Sequence, residues 1–121
     1  MCIRDSAYAG HTLARDRAKR YVFTDDIPRD HLSLAGEWTV EKERARAGRD
    51  ARMRLHFFAR DVHLVLHGSG TVRVLLDGKP VRVTRVREPD LYTLLRLPKP
   101  AEGVLELRFS RGVSAYAFTF G

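Results

Sequence analysis

Cysteine is almost absent from this sequence, since a single one, Cys2, occurs among 121 residues. One thiol forms no internal disulfide, no Cys-x-x-Cys redox motif and no multi-thiolate metal site. Long apolar runs are missing as well, because none approaches the roughly 20 residues that a membrane-spanning helix needs. The opening residues also lack the apolar core of a signal peptide. The sequence therefore predicts neither redox chemistry nor membrane insertion for this segment.

The first six residues, Met1–Ser6, resemble the translation of a sequencing adapter. Residues 1–6 are therefore left out of the fold prediction, as an expression scar would be. On this interpretation Cys2 is not biological, and the natural N-terminal part of the protein is missing. The alternative is a natural, disordered start.

Lysine is scarce too: of 22 basic residues only four are lysine, yet the net charge is +7. An excess of arginine is typical of a GC-rich genome and does not by itself indicate a ligand. The arginines are spread along the chain, whereas a nucleic-acid-binding protein concentrates them on one face between stacking aromatics. We expect a solvated arginine-rich surface and no nucleic-acid partner.

Alternation of apolar and polar residues is the main pattern from Leu32 onward, and it predicts β-strands. Asp77-Gly78 is the strongest hairpin signal, because the favoured two-residue turn needs positive φ at both positions. About eight short strands joined by turns predict an all-β fold, an antiparallel sandwich or jelly roll. The predicted inward-facing residues are Trp38, Val40, Met53, Leu55, Phe57, Val62, Leu64 and Leu66.

The domain organisation follows from the same pattern. Residues 7–31 are polar and are interpreted as a connector, with a short helix possible over Leu13–Tyr21. Residues 32–121 form the predicted sandwich domain. Pro98–Gly103 is predicted to be a loop, because proline and glycine interrupt strands.

Catalytic and metal sites find no support in the residue pattern. His63 and His67 lie on one face of a predicted strand about 13 Å apart, too far to share one metal ion. Asp61 is interpreted as a turn residue before a strand rather than a general acid or base. We therefore predict no catalytic residue, no metal ligand and no cofactor.

Three aromatic residues are candidate ligand-binding residues: Trp38, Tyr92 and Tyr116. Exposed aromatic rings stack on the apolar faces of sugars, and jelly-roll modules commonly bind glycans in this way. Each ring can equally belong to the core. The presence of only one tryptophan weakens the sugar interpretation.

Several segments together resemble the C-terminal domain of DipZ-like proteins, which belong to the thioredoxin-like (TlpA-like) family. The segments, in order, are Gly36–Val40, Phe58–Leu66, Leu76–Pro80, Leu91–Leu94 and Gly112–Gly121. The resemblance implies a sandwich like that of carbohydrate-binding modules, attached to a thiol–disulfide domain outside the cytoplasm. The redox cysteines would belong to that upstream domain. The stretch Arg82–Asp90 is shorter here than is usual in the family, which implies that a ligand site in this loop is absent.

Two functions remain open. The first is a non-catalytic accessory domain that docks on the upstream thioredoxin-like domain or binds a glycan or envelope protein. The second is a stand-alone, lectin-like carbohydrate-binding module. Docking predicts an exposed apolar patch of a few hundred Å², whereas glycan binding predicts an exposed aromatic ring in a concave face.

Overall fold

The structure is a computed structural model that describes residues 7–8, 17–41 and 44–121. Met1–Ser6, including Cys2, and the first four residues of the predicted helix over Leu13–Tyr21 lie outside the described residues. The elements that are described are all β-strands, which confirms the all-β prediction. They are β1 Ala7–Tyr8, β2 Ala18–Tyr21, β3 His31–Val40, β4 Ala45–Ala47, β5 Arg52–His67, β6 Gly70–Leu76, β7 Lys79–Val86, β8 Asp90–Phe109 and β9 Ser114–Phe120.

Alternation of burial along the strands matches the alternation in the sequence. In the first half of β5, Met53, Leu55 and Phe57 point inward and are at most 1% exposed. Intermediate or exposed residues lie between them. The inward faces of β2 to β9 contribute to one core cluster, so burial of these apolar side chains is the main source of stability.

Two long strands organise the architecture. β5 and β8 pair with each other along most of their length, and both bend near Asp61, where the register shifts. Their halves therefore belong to two layers. All nine strands belong to one continuous sheet. We call β1, β2, β3, β6 and β7, with the halves of β5 and β8 that pair with them, the first layer, and β4 and β9, with the other halves, the second layer. Because β3 pairs with both β4 and β5, the layers join into a barrel-like sandwich.

Strand direction departs from a purely antiparallel arrangement at one place. β1 pairs with β3 in parallel, with Ala7 opposite His31. β2 is antiparallel to β3, and its Tyr21 is buried in the core. Residues 18–21 of the predicted connector are thus a strand of the sheet rather than a helix.

The segment Pro98–Gly103 was predicted to be a loop, and this prediction is wrong. These residues lie inside β8, where Ala101 and Gly103 pair with Ala59 and Phe57 of β5. Proline is tolerated here because this part of β8 lies at the bend between the layers, where ladder hydrogen bonds are interrupted.

The Asp77-Gly78 hairpin is confirmed. It joins β6 to β7, and both residues have positive φ, 49° for Asp77 and 86° for Gly78. This is the combination that matches the right-handed twist of a hairpin. Within the described residues no helix is long and apolar enough to span a membrane.

Candidate binding face on the first layer

Three arginines lie side by side across the outer face of the first layer. Arg52 of β5 is directly opposite Arg108 of β8, and Arg108 is directly opposite Arg73 of β6. Neighbouring strands are about 4.8 Å apart, so the three Cα atoms span only about 10 Å. We call these three residues the arginine row. Like charges on directly opposed residues destabilise a sheet, so structural stability alone does not favour this arrangement.

A groove of about 610 Å³ lies over the arginine row. Arg20 and Asp50 form part of its wall, and the exposed ion pair between them measures 3.4 Å. Four arginines thus line the groove with one carboxylate. Guanidinium groups present several N–H donors in a planar fork that matches carboxylate and phosphate groups. The groove therefore has the chemistry of an anion-binding site.

A second carboxylate, that of Glu106, lies beside the arginine row and accepts hydrogen bonds from two arginines. Glu106 of β8 accepts hydrogen bonds from Arg54 Nε and Arg108 Nε, both at 2.8 Å. Burial raises the pKa of Glu106, but the hydrogen bonds and charges of Arg108 and Arg54 outweigh this effect and hold it below the usual range. Glu106 is therefore ionised at neutral pH and compensates part of the positive charge.

Phe23 supports one end of the row. The guanidinium of Arg52 lies 5.3 Å from the centre of the Phe23 ring, and that of Arg54 lies 4.1 Å from it. Such contacts favour a fixed position for a cation over the ring face. Within the described part of the chain, Arg73 forms no ion pair at all, so its charge remains available.

Exposed apolar residues adjoin the other end of the row. Val81 and Val83 of β7 are 49% and 62% exposed, and Val83 is directly opposite Arg73. Together with Pro80 they line a depression of about 260 Å³ that also contains Arg73 and Arg108. We call Pro80, Val81 and Val83 the valine ridge. The binding face thus combines a cationic groove with an apolar edge.

Trp38 lies elsewhere, in the centre of the core. Its ring is 0% exposed and packs edge-on against Phe109 with ring centres 4.9 Å apart. The indole N–H donates to the carbonyl oxygens of Ala35 at 3.0 Å and Arg52 at 3.2 Å. A ring with no exposed surface offers no stacking face to a sugar.

Tyr92 and Tyr116 are half-buried and do not meet at one site. The Tyr92 hydroxyl donates to the Glu88 carbonyl oxygen at 2.8 Å, and its ring packs against the core. The Tyr116 hydroxyl accepts a hydrogen bond from Arg44 at 3.3 Å, and its ring lies 6.4 Å from that of His67. Ligand binding by these two residues stays a prediction.

Two of the described histidines, His56 and His63, have structural partners. His63 Nδ1 lies 3.0 Å from Thr93 Oγ1. His56 Nε2 lies 2.6 Å from a Glu102 carboxylate oxygen. Among the described residues no three potential metal ligands cluster together.

Asp61 was interpreted as a turn residue, and this interpretation is wrong. It lies inside β5 at the bend and is only 8% exposed. Its carboxylate contacts Arg60 at 3.4 Å and Arg96 at 3.9 Å. The backbone N–H groups of Arg60 and Asp61 both donate to the Gly121 carbonyl oxygen. Asp61 therefore fixes the end of the chain to the bend.

Sequence reasoning missed the arginine row, although part of the signal is visible. Arg52, Arg73 and Arg108 each stand at an outward position of an alternating segment. What alternation does not encode is which strands are neighbours and in which register. Only the pairing of β5 with β8 and of β8 with β6 places residues from three distant segments together.

Residues 2–121 match the family described as the thioredoxin-like C-terminal domain. The chain belongs to this family. The match extends over nearly the whole length, including the strands that carry the arginine row and the valine ridge.

Two curated relatives are the proteins named DipZ from Mycobacterium bovis and Mycobacterium tuberculosis. Each is 28% identical to this chain over 115 residues, which cover 94% of the chain. The chain spans only 16% of the length of these relatives. It thus resembles a DipZ-like thioredoxin C-terminal domain.

Two solved structures have a similar fold. Both are of a family two carbohydrate esterase from Clostridium thermocellum, one of them an active-site mutant, in complexes with a cello-oligosaccharide. Their TM-scores are 0.52 and 0.51 at 23% identity, and the match covers 63% of this chain and 26% of theirs. At this identity the likeness concerns the fold alone.

Proposed function

We propose that this chain is a non-catalytic accessory domain of an extracytoplasmic thioredoxin-like protein, and that it docks on the redox domain of that protein. The observation that supports docking best is the valine ridge beside the arginine row. Adjoining exposed apolar residues rimmed by charged groups are typical of a surface that a partner covers. Docking would position the redox domain relative to its substrate without adding a reactive group.

Membership of the family supports the presence of a thioredoxin-like redox domain as the docking partner. The family is described as the C-terminal domain of thioredoxin-like proteins. The relatives named DipZ are also much longer than this chain. Since the chain itself offers only Cys2 as a thiol, a redox activity would reside in another part of the protein.

The first experiment is to extend the gene upstream of the codon for Ala7 in genomic DNA. The proposal expects an open reading frame that encodes a thioredoxin-like domain with a Cys-x-x-Cys motif. A natural start codon at Met1 would contradict it, and the stand-alone module would then be preferred.

The second experiment compares amide hydrogen exchange in the extended protein with that in the 121-residue chain. Docking predicts slower exchange in β6 and β7 of the extended protein. Val83→Ser should remove this protection. Leu91→Ser serves as the matched control, because Leu91 is 48% exposed and lies in the half of β8 that belongs to the second layer. Equal exchange in both proteins would exclude docking through this face.

A carbohydrate-binding module remains the second candidate, supported by the fold shared with an esterase solved with cellohexaose. Tyr92 and Tyr116 remain the candidate ligand-binding residues, and half-buried Tyr116, with the exposed His67 beside it, is the one to test first. Titration calorimetry with cellohexaose tests it. Heat of binding that disappears in Tyr116→Ala would favour the glycan function over docking.

A further inference from the structure

We propose that the arginine row and the valine ridge together bind an extended acidic segment of a protein partner, with its carboxylates in the groove and its apolar side chains on the ridge. This inference deepens the proposed docking function and rests on it for the identity of the partner. The binding chemistry itself is carried by the geometry of the first layer.

The charge of the groove is the first argument. The arginine row places three positive charges on adjacent strands, and within the described residues Arg73 has no carboxylate partner. Arg108 uses its Nε for Glu106, and Arg20 uses one terminal nitrogen for Asp50. The remaining guanidinium donors outnumber the acceptors that line the groove, so an anionic ligand would satisfy groups that now face water.

The apolar edge is the second argument, because it separates a peptide from other anions. Arg73 and Arg108 line both the groove and the depression at the valine ridge. A nucleic acid would use stacking aromatics and leave the valines uncovered. A glycan also needs an aromatic face, but Phe109, the aromatic residue that lines the groove, is only 6% exposed.

The position of β7 is the third argument. Within the part of the chain that the structure describes, β7 pairs with β6 alone, so its other edge carries free backbone donors and acceptors. Lys79, Arg82 and Arg85 place positive charge on this strand. Such charges prevent association with a second copy of the same edge but attract an acidic strand.

The alternation of side chains fits such a segment. Val81, Val83 and Arg85 share the outer face of β7 at a spacing of two residues. In an extended peptide the side chains two residues apart share one face at about 6.6 Å, so a segment whose acidic and apolar residues occupy successive positions of that one face can present carboxylates to the arginine row and apolar groups to the valine ridge.

The test uses the 121-residue chain and a fluorescent glutamate–valine peptide about seven residues long, a common strand length, in which glutamate and valine take turns at every second position and serine fills the positions between them. Fluorescence anisotropy should detect binding that weakens as salt is added. Arg73→Glu should lower the affinity at least about tenfold. Lys99→Glu, the same charge change at an exposed residue at the bend of β8, should leave it within about twofold. Arg20→Gln is a second, milder variant of the groove. Circular dichroism verifies that each variant is folded.

A variant in the valine ridge tests the apolar part of the binding face separately. Val83→Ser should weaken binding of the glutamate–valine peptide but not of a glutamate–serine peptide, since only the first has side chains that cover the ridge. No binding of the acidic peptide would overturn the proposal, as would an equal effect of Arg73→Glu and Lys99→Glu. Equal or tighter binding of a polyuronate oligosaccharide or a single-stranded oligonucleotide through Arg73 would also overturn it.

The proposal and the docking function can fail separately. Peptide binding without protection of β7 in the extended protein would keep the acidic-segment site and reject docking on the redox domain. Protection of β7 without peptide binding would keep docking and reject the acidic segment.

Discussion

Gly36 is a residue whose replacement should be poorly tolerated. It has a φ of +79°, and a Cβ built on it would overlap the backbone carbonyl of Asp50. The neighbouring turn is held by hydrogen bonds from Glu37 N to Arg49 O and from Gly48 N to Glu37 O. Any side chain at Gly36 must therefore push β3 away from this turn.

Gly36→Ala should accordingly destabilise the domain by more than the roughly 1–2 kcal/mol that positive φ alone costs an alanine. Gly78→Ala is the matched control, because its φ is +86° but nothing lies within 4 Å of the added Cβ. Urea denaturation of both variants measures the difference. Equal losses would show that the contact with Asp50 is not restrictive.

His56 should make the stability depend on pH. Its protonated ring donates from Nδ1 to the Ile27 carbonyl oxygen at 2.7 Å and from Nε2 to Glu102 at 2.6 Å. The hydrogen bond to Ile27 is the largest cause that raises the pKa of His56, and burial and Arg29 oppose it. Because the folded pKa is raised, the stabilisation is fully present below the unfolded pKa of about 6.5 and is lost as pH rises through the folded value.

The measurement is the melting temperature of the chain and of His56→Gln at about pH 5.5 and pH 8.5, on either side of the histidine range. The difference between the two proteins should be larger at the lower pH. Glu102→Gln should weaken this pH effect without abolishing it, since the Ile27 carbonyl remains. A difference between chain and variant that is independent of pH would contradict the assignment.

At the scale of strands, the arginine row should cost stability. Directly opposed cross-strand pairs contribute roughly 0.2–1 kcal/mol, and like charges have the unfavourable sign. Arg73→Thr removes one charge from the row and introduces a good strand former. We expect it to stabilise the domain by about 0.5 kcal/mol while it weakens binding of the acidic peptide. Urea midpoints at low and high salt provide the measurement, and the gain should shrink as salt screens the repulsion.

The inward faces of the strands are predictable from the sequence, whereas the ends of the strands are not. Alternation predicted the inward faces of β3 and β5, because burial of one face imposes a period of two. The loop predicted over Pro98–Gly103 failed because proline at a bend leaves the strand extended. Local composition does not show that β8 continues past the bend. Pairing with β5 keeps these residues in the strand.

The candidate site was less predictable than the fold, because it depends on side-chain exposure and on strand register, which a local segment does not contain. Its aromatic candidates depended on exposure, and a tryptophan in a strand looks the same in the sequence whether it faces solvent or the core. Trp38 is buried because its ring points into the core, where it packs against Phe109. The arginine row depends on register between strands far apart in the chain, which no single segment contains.

Over the whole molecule, the net charge of +7 is unevenly distributed. Part of it is neutralised locally, as in the contacts of Arg44 and Arg46 with Glu41, where the hydrogen bond from Arg44 is the main cause that lowers the pKa of Glu41. The outer face of the first layer keeps an excess of positive charge instead. A field concentrated on one face raises the rate at which an acidic partner approaches in the correct orientation.

Glu106 neutralises part of this positive charge. Its replacement should therefore lower the stability of the domain and raise its affinity for the acidic peptide. Glu106→Gln deprives Arg54 and Arg108 of their shared carboxylate. The side chain of Glu106 is 10% exposed but those of the two arginines are 40% and 50% exposed, so screening limits the loss of stability to about 1–3 kcal/mol.

The groove gains positive charge in Glu106→Gln, so the acidic peptide should bind several-fold more tightly at low salt. Urea denaturation and peptide anisotropy on the same samples separate the two effects. A variant that loses both stability and affinity would indicate instead that Glu106 is needed to hold Arg108 in its binding position.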